Sequence, residues 1–386
     1  MNKNILYVGF FALPDKDAAA NRVMNNAKAL RDAGNKVIFI DEQVESEYSS
    51  IEKSLHIIEE FDVWTMKRPR NTIGNLQKMI SIEKIEKVIK YYKMVDLIIV
   101  YNYPAIALKK LCKYCDSEGI KLVSDCTEWY SGKEYSFPKN ILCAMDSSLR
   151  MRYVQKRIDG IICISSYLSS YYKNCKNVLE IPPLVDSCAA FWKQLQYDYA
   201  LDEKKLNLVY AGNPGKSKEK ILPILEAISN SENKGNICFR IIGITKEQFL
   251  SLYPNKEQFL ESLGDSIQFM GRLSHDATIK HIKSSDYMIF LRDKNRVSNA
   301  GFSTKFVESI TCRTAVITSD TGDLKRYIDK YKIGFVINSI DDLIKIFNKN
   351  TVELKTYSRI GNNDKLFDYK SYIIFFEKWI NLLYKN

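Results

Sequence analysis

The sequence has few histidines and no Cys/His cluster of the kind that binds metal ions. Histidine occurs three times in 386 residues, at His56, His275 and His281, and no H-E-x-x-H motif is present. Cys112 and Cys115 form a lone C-x-x-C pair, whereas a structural zinc site usually takes four ligands. The absence of such motifs predicts a protein that uses no metal and no other cofactor.

Disulfide patterns and long apolar runs are missing as well. Nine cysteines are scattered along the chain, an odd number that does not suit a disulfide framework. No run reaches the roughly 18 to 20 apolar residues of a membrane span. The first apolar stretch could pass for a signal peptide, but Asp15, Lys16 and Asp17 interrupt it and a β-α-β pattern follows. The sequence therefore predicts a cytoplasmic protein.

The chain carries an excess of positive charge. Lysine and arginine number 57 against 46 acidic residues, a net charge of +11, which suits phosphorylated small molecules, anionic membranes or nucleic acid. Nucleic acid is not expected, because the basic residues are spread over both halves and no recognition motif is present. A predicted basic, amphipathic helix over Leu76–Tyr92 either covers the body of the protein or lies on an anionic membrane surface. The inner face of the cell membrane therefore stays open as a location.

Strand and helix patterns alternate, pause and then start again. Apolar runs in the first half predict buried strands at Asn4–Phe10, Val37–Ile40, Val63–Met66, Asp96–Tyr101, Ile120–Asp125 and Ile161–Ile164. The second half repeats the pattern at Leu206–Ala211, Ile237–Ile242, Ile267–Met270, Met288–Leu291, Ala315–Ile317 and Phe335–Ile337. This predicts an α/β protein with Rossmann-like domains at 1–187 and 206–365, a linker at 188–205, and a C-terminal helix within 366–386 that packs back on the body. No G-x-G-x-x-G motif is present.

Two turns in the second half carry the parts of an anion site. After the strand Leu206–Ala211 come Gly212, Gly215, Lys216 and Lys218, and glycines with lysines at such a turn can hold phosphate. After Leu291 a cationic loop contains Arg292, Arg296, Asn299 and Gly301 and leads into a helix that Ser303 or Thr304 can cap. Glu308, one turn inside that helix, is free to accept hydrogen bonds from a sugar. The alternative is an ordinary crossover with a surface glutamate.

Polar residues in the first half mark a second candidate region. Ala18 to Arg22 are predicted to occupy the first strand-to-helix turn, where Arg22 either reaches a phosphate or is solvated. Asp125 and Glu128 follow a predicted strand, at the edge where open α/β sheets bind ligands. They are candidates for contact with a substrate. Alternatively, Asp125 caps a turn and Trp129 packs at a domain edge.

Three stretches resemble retaining glycosyltransferases of family 4. Ile181–Asp186 resembles the I-P-N-G-V-D segment before the linker of that family, and Val209–Gly212 resembles the first strand of its donor domain. Ala300–Glu308 resembles the E-x7-E signature. The resemblance runs over most of the chain and implies the GT-B fold, in which two Rossmann-like domains face each other across a cleft. The N-terminal domain would bind the acceptor and the C-terminal domain a nucleotide sugar.

The resemblance also implies roles for individual residues. Lys216 and Lys218 fall where the family has an Arg/Lys pair on the donor diphosphate. Backbone N–H groups of Phe302, Ser303 and Thr304 would meet that diphosphate, and Glu308 would bind the ribose.

The sequence departs from the family in four places. The first acid of the signature is Ala300, the glycine after the signature helix is Arg313, Ala19 and Ala20 replace a Gly-Gly turn, and Thr127-Glu128 stands where many members have a histidine. One hypothesis is that Asn299 or Arg296 takes over from the missing acid.

The resulting prediction is a retaining hexosyltransferase of bacterial surface polysaccharide assembly. It would move a sugar from a nucleoside diphosphate sugar to a glycan or polyprenyl-linked saccharide. Lys216, Lys218 and Arg292 would stabilise the leaving diphosphate, while Asp125 and Glu128 would orient the acceptor. Two alternatives stay open: a non-catalytic scaffold protein of a glycan-assembly complex, which Ala300 favours, and a nucleotide-sugar epimerase.

Overall fold

The computed structural model describes residues 2–44, 48, 50–132, 136–189, 192, 202–214, 219–361 and 363–385. The chain forms two compact units. The first comprises Met1–Asp186, Ala300–Phe302 and Asp368–Asn386, and the second comprises Ser187–Asn299 and Ser303–Phe367. Most of the predicted linker 188–205 lies outside the described residues.

The first unit is built on an eight-stranded sheet. Its strands are β1 Asn4–Gly9, β2 Lys36–Gln43, β3 Leu55–Ile58, β4 Phe61–Lys67, β5 Leu97–Tyr101, β6 Lys121–Cys126, β7 Gly160–Cys163 and β8 Val178–Glu180. Its helices, up to the end of β8, are α1 Ala18–Asp32, α2 Thr72–Ile80, α3 Glu83–Tyr92, α4 Ala105–Glu118, α5 Lys139–Leu149 and α6 Ser166–Tyr171. The strand order is β3-β4-β2-β1-β5-β6-β7-β8, and all neighbours are parallel except β3 and β4.

The second unit is built on a six-stranded parallel sheet. Its strands are β9 Leu206–Ala211, β10 Ile237–Ile242, β11 Ile267–Gly271, β12 Tyr287–Phe290, β13 Ala315–Ser319 and β14 Gly334–Ile337. The helices that follow β9 are α7 Leu222–Ser229, α8 Lys246–Leu252, α9 Glu257–Leu263, α10 His275–Ser284, α11 Arg296–Ala300, α12 Thr304–Thr311, α13 Leu324–Tyr331, α14 Ile340–Phe347 and α15 Thr351–Tyr357. The strand order is β11-β10-β9-β12-β13-β14.

Alternating side chains of the first sheet build two separate cores. Leu6 and Val8 of β1 belong to one apolar cluster, whereas Ile5 and Tyr7 belong to the other, because successive side chains of a strand point to opposite faces. Helix α16, Ile373–Leu383, contributes to the second cluster through Phe376, Trp379, Ile380 and Leu383. The C-terminal helix therefore packs on the first unit.

The structure differs from the predicted elements at two helices. The helix predicted over Leu76–Tyr92 is two helices, α2 and α3, because Ser81 between them has extended backbone, with φ −97° and ψ 142°. The apolar residues Ile85, Val88 and Ile89 of α3 are buried, so this helix covers the sheet.

Helix α1 begins at Ala18, because the Asp17 carboxylate caps it by accepting from Ala20 N at 2.7 Å. Ala18 to Arg22 therefore lie in a helix and not in a turn.

Candidate functional site

The strand order of the second unit determines where a ligand can bind. From β9 the chain runs to β10 and β11 on one side of the sheet and then crosses to β12 on the other. A crevice forms at such a reversal, at the carboxyl ends of the two neighbouring strands, here β9 and β12. Gly212 follows β9 and Arg292 lies just after β12. The sequence-predicted residues Gly212 and Arg292 thus lie at the reversal point of one sheet.

A buried glutamate gathers two cations at this point. The side chain of Glu219 is 4% exposed. Its Oε1 accepts from Arg292 Nη2 at 2.6 Å, from Arg292 Nε at 3.0 Å and from Lys305 Nζ at 3.1 Å. Its Oε2 accepts from the Tyr210 hydroxyl at 2.6 Å. We call Glu219, Arg292, Lys305 and Tyr210 the Glu219 cluster.

The Glu219 cluster carries one positive charge in excess, two cations against one carboxylate. Burial raises the pKa of Glu219, but the charges of Lys305 and Arg292 outweigh burial, so the pKa is lowered from its ordinary value of 4.5. Arg292 and Lys305 each keep 20% of the side chain exposed. The cluster therefore presents two partly exposed cations, oriented by a buried carboxylate, to an anion.

The lowered pKa predicts how stability changes with pH. A carboxylate whose pKa is depressed in the folded state contributes stability above its unfolded pKa, and this contribution is lost as pH falls through the folded pKa. We expect Glu219→Gln to lower the free energy of unfolding at pH 7. We also expect the difference from wild type to shrink as the pH falls below the ordinary 4.5 and through the lowered pKa of folded Glu219, because the carboxyl group then becomes neutral like glutamine. Urea denaturation of both proteins across this range measures the difference, and a difference constant with pH would contradict the assignment.

Gly212 makes room for Lys305. Its φ is +154°, and a Cβ at this position would lie 2.4 Å from Lys305 Cε and 2.8 Å from Nζ. A larger residue at 212 would therefore push the ammonium out of the Glu219 cluster. Gly212, which the sequence predicted for the anion site, therefore lets the end of β9 lie close to the Lys305 ammonium.

The start of α12 offers a second set of donors. Ser303 occupies the N-cap position, but its side chain makes no capping hydrogen bond, unlike the cap predicted from the sequence. The Ser303 hydroxyl is buried and has no hydrogen-bond partner among the described residues. A buried hydroxyl without a partner beside the positive end of a helix is suited to an anionic ligand.

Glu308 lies within α12 and is partly accessible. Its side chain is 28% exposed, and its Oε1 lies 3.5 Å from Nε2 of His275, the first residue of α10. The carboxylate is therefore placed to accept from a ligand hydroxyl, with an imidazole beside it. The sequence did not single out His275 for this position.

Other residues expected at the donor side are scattered. Asn299 Oδ1 accepts from Gly322 N at 3.0 Å, so this amide oxygen holds the loop after β13 and is not left for a sugar. Arg296 is exposed in α11, and Thr304 is exposed at the start of α12.

Gly301 and Phe302 are grouped with the first unit, together with Ala300, which is fully buried there. Gly215, Lys216 and Lys218 lie outside the described residues.

In the first unit, Arg22 and Asp125 form a buried ion pair. Their side chains are 3% and 0% exposed, and Arg22 Nη2 donates to Asp125 Oδ1 at 2.7 Å. Arg22 Nη1 also donates to the carbonyls of Ile181 and Pro182, and the Tyr7 hydroxyl donates to Asp125 Oδ2 at 2.5 Å. Neither side chain has surface left for a phosphate or an acceptor. The expected ligand roles of both residues are therefore replaced by a structural one.

Arg22 of this pair also holds the Ile181–Pro182 backbone through two hydrogen bonds. Burial lowers the pKa of the Arg22 guanidinium, but Asp125 outweighs it and the net shift is upward. Burial, followed by the charge of Asp125, raises the pKa of Tyr7. The pair ties α1, β6 and the Ile181–Pro182 backbone together.

Glu128, the other acid expected on the acceptor side, is half-buried. Its backbone carbonyl accepts from Arg150 Nη2 at 3.1 Å. Burial raises the pKa of Tyr130, and the charge of Glu128 and a hydrogen bond with its side chain add to the rise. Of Asp125 and Glu128, the two acids predicted to orient the acceptor, Glu128 is the one that keeps exposed surface.

Three members of the Glu219 cluster, Glu219, Lys305 and Tyr210, were not found as site residues from the sequence. Glu219 is separated from Arg292 by 73 residues and from Lys305 by 86, and a single sequence shows no link over such distances. Lys305 lies inside the stretch that resembles the E-x7-E signature, which was the one available signal. Among the described residues, no group of three or more His, Cys, Asp or Glu is placed to hold a metal ion.

One family model matches part of the chain. Residues 193–366 match the family model of glycosyl transferases group 1, which spans most of the second unit. The match supports a glycosyltransferase. The comparison with curated proteins found no match.

Solved structures similar over nearly the whole chain share the architecture. Sucrose-phosphate synthase from Thermosynechococcus elongatus has a TM-score of 0.71 and 13% identity over 99% of both chains. Anabaena Alr3699/HepE in complex with UDP-glucose has a TM-score of 0.63 and 14% identity over 98% of this chain and 100% of that one. The catalytic domain of starch synthase IV from Arabidopsis thaliana, bound to ADP and acarbose, has a TM-score of 0.65 and 11% identity over 99% and 100%. At these identities the likeness establishes the fold.

The chain therefore has the GT-B fold. Two Rossmann-like units, each with a largely parallel sheet, confirm the predicted fold class.

Proposed function

We propose that this protein is a retaining glycosyltransferase that uses a nucleoside diphosphate sugar. The observation that carries the proposal is the Glu219 cluster, two partly exposed cations at the sheet reversal of the unit that matches glycosyl transferases group 1. Support for the donor comes from Alr3699/HepE, which is similar in fold and was solved with UDP-glucose. The proposed acceptor is a glycan or polyprenyl-linked saccharide of bacterial surface polysaccharide assembly.

Charge develops on the donor diphosphate as the reaction proceeds. The bond between the anomeric carbon and the diphosphate oxygen breaks while an acceptor hydroxyl oxygen bonds to that carbon on the same face. The departing phosphate oxygen takes the hydroxyl proton, so no protein base is needed. Arg292, Lys305 and the first N–H groups of α12 stabilise the leaving diphosphate, since donors held in place in advance favour the transition state. Such donors can stabilise this charge without a metal.

Glu219 acts as a positioning residue in this proposal. Its carboxylate holds Arg292 and Lys305 in place and offsets one of their two charges before the donor binds. The Ser303 hydroxyl, buried and without a partner among the described residues, donates to a diphosphate oxygen. Glu308 accepts from a ribose hydroxyl, with His275 next to it. The acceptor binds to the first unit, where Glu128 orients its hydroxyl.

The experiment that tests the proposal measures sugar transfer. The purified protein is incubated with UDP-, GDP-, ADP- and dTDP-linked hexoses and with undecaprenyl-diphosphate-linked saccharides as acceptors. We expect release of one nucleoside diphosphate that depends on acceptor, and a product that keeps the anomeric configuration of the donor by NMR. Inversion of configuration would contradict the retaining mechanism, and conversion of the donor alone into an epimer would favour the epimerase.

One observation favours a non-catalytic scaffold protein as the second candidate. The position of the first signature acid is Ala300, which is fully buried and offers no polar group to a sugar. A scaffold predicts that the cations bind no nucleotide sugar and that no donor is consumed with any acceptor. Consumption of one donor in the experiment above excludes it.

A further inference from the structure

Two helices of the first unit expose apolar stripes to solvent. On α5 the stripe consists of Ile141, Leu142, Met145 and Leu149, which are 49%, 50%, 65% and 42% exposed. Their spacing of one, three and four residues places them on one side of a helix. Ser147 is the one buried residue of α5. Phe137, just before the helix, is 76% exposed.

Helix α2 shows the same feature. Ile73, Leu76 and Ile80 are 68%, 48% and 41% exposed and recur at three and four residues, so they also share one side. No residue of α2 is buried. Helix α4 contacts both α2 and α5. Single exposed aliphatic residues are ordinary, but two stripes on helices that bury almost nothing indicate a surface that another body covers.

The charges around the two apolar stripes indicate what kind of partner covers them. The chain has no Asp or Glu from Lys67 to Ile82, and from Phe137 to Arg157 it has only Asp146. Asp146 is half-buried and accepts from Ala105 N at 2.9 Å. The cations Lys67, Arg70, Arg152, Lys156 and Arg157 are all exposed.

A second copy of this chain does not fit the surface. In a two-fold symmetric interface each surface meets itself, so cations would face cations without carboxylates to compensate, and like charges in an interface are costly. An anionic bilayer fits both features, because its acyl region takes the apolar side chains and its headgroups attract the cations.

We propose that the stripes of α2 and α5, with their flanking cations, dock this protein on an anionic lipid bilayer. The protein lies on the membrane through this surface, and none of the described helices is long and apolar enough to cross it. The inference extends the proposed function, since a lipid-linked acceptor resides in a bilayer. Of the helix predicted from the sequence over Leu76–Tyr92, Leu76 and Ile80 belong to this surface, whereas the apolar side of α3 is buried.

Vesicle binding without nucleotide tests the docking separately from the enzymatic function. The whole protein is co-sedimented with vesicles of phosphatidylcholine alone or with about 30% phosphatidylglycerol, at low and high salt. We expect binding to the anionic vesicles that weakens at high salt, because salt screens the headgroup charge. Leu142→Gln with Met145→Gln should weaken binding at least tenfold. Arg70→Gln with Arg152→Gln should weaken it by roughly fivefold per cation.

Matched controls come from the second unit. Val352→Gln with Ile340→Gln removes two exposed aliphatic residues, and Lys330→Gln with Lys345→Gln removes two exposed cations; both pairs should leave binding unchanged. The Leu142/Met145 variant and the Arg70/Arg152 variant change different residues. If circular dichroism shows that one of them does not fold, vesicle binding by the other still tests the proposal. No binding to anionic vesicles at low salt overturns the proposal, as does binding that all four pairs leave unchanged. Self-association would replace the proposal under two conditions. Analytical ultracentrifugation would show a wild-type dimer that the Leu142→Gln/Met145→Gln variant does not form, and the wild-type protein would not bind the vesicles.

Discussion

Asp125→Ala is expected to lower the free energy of unfolding by about 3–5 kcal/mol, because it leaves the buried guanidinium of Arg22 without its counter-charge. The two side chains are 3% and 0% exposed, so water cannot replace the carboxylate. The Tyr7 hydroxyl loses its acceptor as well. Trp64, Trp129 and Trp379 are three of the four tryptophans and belong to the first unit. Urea denaturation followed by tryptophan fluorescence therefore reports mainly on the unit that contains the pair.

Two further variants show that the effect comes from the unpaired charge. Arg22→Met together with Asp125→Leu removes both charges and should recover a large part of the loss, since replacing a buried pair by apolar residues is often close to neutral. Glu52→Ala breaks an exposed ion pair with Lys87 in the same unit and should leave the unfolding midpoint nearly unchanged. If Asp125→Ala unfolds at the wild-type urea concentration, the pair is not structural and the ligand roles first expected for Arg22 and Asp125 regain support.

Lys305→Ala is expected to lower kcat/KM by about 100- to 1,000-fold, the usual effect of removing one preorganised donor from a developing charge. Lys305 Nζ lies 3.1 Å from Glu219 Oε1, so the ammonium is oriented before the donor binds. Initial rates with the donor identified by the transfer assay measure the effect. The loss should appear mainly in kcat, because the charge on the diphosphate is largest in the transition state.

Lys345→Ala serves as the matched control for Lys305→Ala, because Lys345 is an exposed lysine of α14 in the same unit. It should keep wild-type kinetics. Lys305→Arg keeps the charge but changes its geometry, and it should fall between the two. A Lys305→Ala enzyme with wild-type kcat would remove Lys305 from the proposed mechanism.

Most of the fold could be predicted from the sequence because most of its strands are runs of apolar residues. Runs such as Leu206–Ala211 and Ile237–Ile242 are apolar on both faces, and the structure has both strands at the predicted bounds. The strands β3 and β8 were missed. Both are short and include a polar residue, His56 in β3 and Glu180 in β8, so neither gives an apolar run. The break between α2 and α3 at Ser81 was also missed, because the pattern Met79, Ile80, Ile85 and Val88 continues across it.

The site could be predicted only where its residues directly follow a recognisable strand. Gly212 and Arg292 follow apolar strands, and sheet topology brings such positions together. The partner of Arg292 is Glu219, 73 residues away, and that pairing depends on tertiary structure. The same limit explains Arg22 and Asp125, 103 residues apart. Each charge alone suggested a ligand, whereas the two together neutralise each other in the core.

In the proposed function, the second unit binds a nucleoside diphosphate through Arg292, Lys305 and Glu308. Calorimetric titration with UDP, GDP, ADP, CMP and dTDP tests it most directly, with wild type, Glu308→Ala and, as control, the exposed Glu353→Ala of α15. We expect saturable binding of one nucleoside diphosphate, weakened about tenfold or more in Glu308→Ala, since a hydrogen bond to a charged group contributes about 1.5–3 kcal/mol. Glu353→Ala should bind like wild type. No binding of any of these nucleotides to the wild-type protein would contradict the claim and favour the scaffold protein.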